Sequence, residues 1–174
     1  MMTMEECKMK KKIVGFGLAT MMVCSAGTSV FASSPAAPSQ QTAQKLTPQQ
    51  QVKNITDYAL KLKGVPFKAG GTTIKGFDSS GYVQHVYGKY GVKLPRNSAE
   101  IYKKGNPVAK DQLKKGDLVF YNTTGKKGNT ISFVAIYLDK GQMIGVSTKN
   151  GVSIIDMNNS YWKTKYVGAK RIIK

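Results

Sequence analysis

Cysteine and histidine are nearly missing from this chain of 174 residues, which holds two cysteines, Cys7 and Cys24, and one histidine, His85. Thiolates and imidazoles are the usual ligands of a zinc-type cluster, so no metal site is expected, and nothing else points to a cofactor. Acidic side chains are also scarce: nine stand against 27 lysines and arginines, a formal charge of +18. A surface of that sign seeks polyanions. The apolar stretch from Ile13 to Val23 is too short to span a bilayer as a stable helix. Neither an internal repeat nor a phosphate-binding glycine motif is present.

The basic run Lys8, Lys10, Lys11 and Lys12 precedes that stretch, and Val30-Phe31-Ala32 offers a small-residue cleavage site before Ser33. Together they make residues 1–32 a secretory signal and the protein a secreted or wall-associated one, with no membrane attachment after cleavage. Met21-Met22-Val23 before Cys24 is a poor match to the small-residue pattern of lipoprotein signals, so lipidation is not expected. Both cysteines leave with the signal, and the mature chain keeps no thiol and a formal charge of +16. Residues 33–51 are Ser, Pro, Ala, Gln and Thr with almost no large apolar side chain, the composition of a disordered linker. Residues 52–174 are enough chain for one core and too little for two. They contain no basic recognition helix and no aromatic stacking platform, so nucleic acid is not the expected partner.

Thr47-Pro48 supplies a cap and a first-turn proline, and Val52, Ile55, Ala59 and Leu62 share one helical face up to the stop at Gly64. A glycine-containing loop over 65–75 leads to a second helix from about Ser79 to Tyr90, with Val83, Val86 and Tyr90 inward and Gly91 at its end. A short third helix fits Ser98 to Lys104. The period then changes to two, in runs near Leu118–Tyr121, Ile131–Leu138, Gln142–Ser147, Val152–Asp156 and Tyr166–Ile172. Helices followed by a meander of about five strands predict an α+β domain, its antiparallel sheet packed on the second helix.

The informative stretch is Gly76-Phe77-Asp78-Ser79-Ser80-Gly81, followed by Tyr82-Val83-Gln84-His85-Val86-Tyr87. A glycine-flanked turn that opens a helix puts Ser79 where free N–H groups favour an anion or a nucleophile. With Gly64-Val65-Pro66-Phe67, Gly70-Gly71, Leu94-Pro95-Arg96 and Gly116-Asp117-Leu118-Val119-Phe120, the chain resembles the NlpC-type, papain-like cell-wall peptidases over essentially all of residues 52–173. That resemblance implies the papain-like arrangement of the α+β fold, and a cysteine nucleophile where this chain has Ser79. It aligns Phe133, in Ser132-Phe133-Val134-Ala135-Ile136-Tyr137-Leu138, with the family's catalytic histidine, and Gly145, in Met143-Ile144-Gly145, with the third catalytic residue. All three positions are altered. In the same cleft Phe67 stands for a usual tyrosine and Ala69 for a usual large aromatic, beside Asp78 and Ser80. Asp78 also reads as the cap of the second helix, and Gly70, Gly71, Gly81 and Asp117 as structural.

Serine serves as a nucleophile only with a base. His85 lies six residues after Ser79 on the same helix, which turns it about 240° away and about 9 Å along the axis, so it cannot pair with Ser79. Lys68 and Lys75 are close in sequence, but nothing around them predicts the burial a neutral lysine needs. The favoured expectation is a catalytically inactive relative of wall endopeptidases that binds peptidoglycan, an anionic wall polymer or a protein partner. The competing one is a residual or altered hydrolase using Ser79. Five replacements, most of which lower polarity, predict a retained groove with a more apolar floor, Gly145 and Ala69 opening space beside Phe133.

Overall fold

A computed structural model describes residues 46–125, 128 and 130–174. The expected signal (1–32) and residues 33–45 of the expected linker (33–51) lie outside the described residues, and the linker's last residues are not linker but the capped start of a helix, because Thr47 and Pro48 begin α1 four residues before the expected domain boundary at 52. Helix α1 spans Pro48–Lys61 and begins on a reciprocal capping box. The Gln50 N–H donates to the Thr47 hydroxyl at 3.3 Å, while the Gln50 side-chain oxygen accepts from the Thr47 N–H at 3.0 Å. Two-residue strands β1 (Thr72–Thr73) and β2 (Gly76–Phe77) form a small hairpin that delivers the chain to helix α2, Ser79–Gly88. Helix α3 (Ser98–Tyr102) precedes strand β3 (Asn106–Val108). Strands β4 (Leu118–Tyr121), β5 (Phe133–Asp139), β6 (Gln142–Ser147) and β7 (Gly151–Asp156) follow, then helix α4 (Ser160–Lys165) and strand β8 (Tyr166–Arg171). No helix among the described residues is long and apolar enough to cross a membrane.

The large sheet has six strands in the order β3-β8-β4-β5-β6-β7, antiparallel throughout, against the five expected. The additional strand is β3, whose proline can only sit at an edge and whose partner is β8. Strand alternation sorts the side chains onto two faces. Leu118, Phe120, Val134, Ile136, Ile144 and Val146 meet Val83, Val86 and Tyr87 of α2 and Ile55 and Ala59 of α1. Fully burying one such large apolar side chain is worth about 1.5–3 kcal/mol, so this layer is the main stabilising element. Two buried tyrosines fasten it: Tyr82 donates to the Ala59 carbonyl at 2.9 Å, and Tyr87 to the Gly116 carbonyl. On the opposite face Val119, Tyr121, Phe133, Ala135, Met143 and Met157 form a second cluster, joined by Trp162 and Tyr166.

Asp117 is buried and fully satisfied. Arg171 reaches it with two hydrogen bonds of 2.8 Å, and the Lys114 N–H adds a third at 2.8 Å. A carboxylate can be kept inside the protein only with such partners, which gives Asp117 the structural role its motif predicts.

Candidate functional site

The start of α2 is built by close backbone contact. The Asp78 side chain accepts from the Gly81 N–H at 2.7 Å, and the Asp78 N–H donates to the Gly71 carbonyl at 3.0 Å. A side chain at Gly81 would collide with that same carbonyl, so only glycine lets the preceding loop lie against the helix end. Ser79 is the first helical residue and half-buried, and no described residue hydrogen-bonds its hydroxyl.

Arg96 locks the capping residue. Its guanidinium donates to Asp78 Oδ1 at 3.0 Å and to the Ser80 hydroxyl at 2.9 Å, and it makes a second, tighter bond to Asp78 Oδ2. Burial alone would push the Asp78 carboxyl up. The Arg96 hydrogen bonds, the Gly81 N–H and the Ser80 hydroxyl outweigh it and hold the carboxyl below the usual carboxylate range. A carboxylate bound this firmly to arginine is a poor proton acceptor at neutral pH.

Above Ser79 lies an open cleft of about 570 Å³. Of the residues expected there, Phe67, Asp78, Ser79, Ser80 and Phe133 line it, together with Asn97, Ser98, Thr123, Ser132, Val146, Ser147, Thr148, Tyr161 and Trp162. Ala69 does not: it is exposed in the turn closed by the Gly71 N–H donating to the Lys68 carbonyl, outside the cleft. Gly145 is likewise buried within β6 rather than facing the opening. The groove is therefore retained, but not by the expected opening of space. A Cβ built on Gly145 would stand 3.1 Å from Phe133 Cζ and 2.9 Å from the Ala135 Cβ, so the phenyl ring occupies the room that the missing side chain leaves.

Phe133 is 7% exposed and held among rings. Trp162 lies 4.8 Å from it at 43°, and Tyr121 meets it edge-on at 6.0 Å. Trp162 and Tyr161, both on α4, are cleft residues that the sequence reading did not single out. Their helix is six residues long and has no buried side chain to give it a periodic signal. A lone tryptophan among polar residues was the available clue.

No described residue lining the cleft is a histidine, cysteine or lysine. His85 faces a different pocket with Tyr58, Thr72, Gln84, Gly88 and Lys89. There its Nε2 is 3.0 Å from the Tyr58 hydroxyl, and its ring lies 5.0 Å from that of Phe77. It is a partly exposed residue of α2 turned away from Ser79. Lys68 and Lys75 are exposed and absent from the lining. Among the described residues no group of acidic, cysteine or histidine side chains could hold a metal ion.

Residues 64–171 match the NlpC/P60 family. The chain is 40% identical over 121 residues to a gamma-DL-glutamyl hydrolase of Bacillus subtilis, covering 68% of this chain and 28% of that one. It is 38% identical over 120 residues to the murein DD-endopeptidase/LD-carboxypeptidase MepS of Escherichia coli K12, covering 68% and 62%. It therefore spans less than two thirds of the length of either relative. Among solved structures it superposes on RipD of Mycobacterium tuberculosis with a TM-score of 0.57 at 35% identity, covering 71% of this chain and 98% of that one. RipD is described as a non-catalytic NlpC/p60 domain protein adapted to peptidoglycan binding.

Proposed function

Since the chain belongs to the NlpC/P60 family while its cleft has no general base to serve Ser79, we propose that it is a non-catalytic, wall-binding member of that family, exported to the cell wall. The observation that carries this reading is Phe133. A phenyl ring packed against Trp162 and Tyr121 stands where the resemblance to the family implies an imidazole, and it can neither take nor give a proton. Ser79 keeps a nucleophile's position at a helix N-terminus without a partner to activate it. Gly145 removes the orienting group as well, so Ser79, Phe133 and Gly145 are together a dismantled catalytic unit. Loss of such a unit costs several powers of ten in rate.

The ligand in this reading is peptidoglycan, with the basic surface adding attraction to anionic polymers attached to it. The cleft supports a binding role because it stays open, with hydroxyl and aromatic side chains along its lining. RipD is a precedent within the same fold for the loss of catalysis with retention of wall binding. The test is cosedimentation of the protein with purified sacculi. Retention in the pellet supports the reading, and a protein that stays in the supernatant at low salt contradicts it.

A further inference from the structure

The cleft of this strongly basic protein is, among its described residues, electrically quiet. Its one carboxylate, Asp78, is neutralised by Arg96, and no lysine or arginine lines it. A site built to hold a carboxylate-bearing peptide presents a cation to it, and a cationic ligand calls for a free carboxylate. Among the described lining side chains neither stands free, and what attraction for an anion the cleft has comes from the N–H groups at the start of α2.

What the cleft offers instead is rings and hydroxyls. Phe67 is 38% exposed, Tyr161 is 48% exposed with the Lys165 ammonium 5.0 Å from its ring, and Trp162 shows part of its indole to the same opening. Around them stand the hydroxyls of Ser79, Ser132, Ser147 and Thr148. Exposed aromatic rings cover the C–H faces of a pyranose, and small hydroxyls exchange hydrogen bonds with its rim without imposing charge. The Phe133 substitution contributes directly, because its ring backs Trp162 at 4.8 Å and fixes the indole in place. Holding that ring before binding lowers the ordering cost of recognition.

We propose that the cleft binds an uncharged sugar segment, the N-acetylated glycan strand of the wall, rather than its carboxylate-bearing peptide. This rests on the wall-binding reading and assigns the ligand class to the dismantled site. Replacement of the proton-transfer groups by an aromatic floor then changes which part of the polymer the cleft holds.

Trp162 is the sole tryptophan, so its emission reports on the cleft alone. The full mature chain is titrated with chitotetraose, a neutral oligomer of N-acetylglucosamine, and separately with a carboxylate-bearing wall tetrapeptide. The expected result is a saturable change in emission with chitotetraose, insensitive to salt and weakened about tenfold in both Phe67→Ala and Tyr161→Ala. These two rings are exposed, so their removal leaves the core untouched. No saturable change with chitotetraose overturns the inference, as does a response to the tetrapeptide alone. Cosedimentation with sacculi, run on the same samples, separates the two levels. Retention without a chitotetraose response removes the sugar assignment only, and loss of both removes the wall-binding reading too.

Discussion

The Phe133 ring stands over Gly145, with its Cζ 3.1 Å from where a Cβ on that glycine would be, so the two residues share one volume. A side chain at 145 would press on the phenyl ring at 133, which must give by a few tenths of an ångström, and on the Ala135 Cβ at 2.9 Å, so substitutions at 145 and 133 should be coupled. Gly145→Ala should therefore destabilise the domain by about 1–3 kcal/mol through overpacking. Gly145→His should be worse in the native background than beside Phe133→His. Urea unfolding of the two single variants and the double variant would measure this as a coupling of about 0.5–3 kcal/mol. Additive effects would mean that the ring has other places to go.

A second prediction concerns chemistry. Ser79→Cys alone should react no faster with a thiol reagent at neutral pH than a helix N-terminus permits. The triple variant Ser79→Cys, Phe133→His, Gly145→His should react faster, with its rate rising through a thiolate pKa below the ordinary cysteine value. Stopped-flow alkylation against pH reads both. Equal rates in the two variants would show that residue 133 does not face residue 79.

The Asp78–Arg96 pair sets an acid limit. Because the folded carboxyl is held below its unfolded value, its contribution to stability is complete above the unfolded pKa of about 3.9 and is lost as pH falls through the folded one. Arg96→Met removes the first opposing partner and leaves burial, which pushes the carboxyl up. The wild-type protein should thus have the higher urea midpoint at neutral pH, and its lead over Arg96→Met should close as pH falls through the folded Asp78 pKa. Identical acid profiles would mean that the pair is solvated.

Charge makes the fourth prediction. If the basic surface draws the protein to anionic wall polymer, the bound fraction on untreated sacculi should fall steeply as salt rises, since the screening length at physiological salt is about 8 Å. Sacculi stripped of their anionic polymers should show a weaker, salt-indifferent remainder. A salt-indifferent pellet on untreated sacculi would separate the composition from the binding.

Much of this architecture was legible from periodicity. Strands β4 and β6 fall on the residues their alternation marks, and α1 starts at its Thr47-Pro48 cap. Strand β3 and helix α4 were not legible. Asn106-Pro107-Val108 has no alternation to detect, and Ser160–Lys165 is a single exposed turn or two held by its rings. The cleft residues carried by a motif, Phe67, Asp78, Ser79, Ser80 and Phe133, could be named in advance. Tyr161 and Trp162, with the hydroxyls of Ser132, Ser147 and Thr148, reach the cleft through tertiary packing, which leaves no local signature. Ala69 and Gly145 show the limit of transferring a family position. Loss of a side chain there was expected to open the groove, whereas the first lies outside it and the second is covered by Phe133.

The central claim is binding without turnover, and one experiment reads both on the same sample. Purified mature protein is incubated with cross-linked sacculi, the pellet is assayed for protein and the supernatant for newly released amines, with Ser79→Ala alongside. Protein should be found in the pellet, with amine release indistinguishable between wild type and Ser79→Ala. Amine release that continues with time in the wild type and vanishes in Ser79→Ala would contradict it.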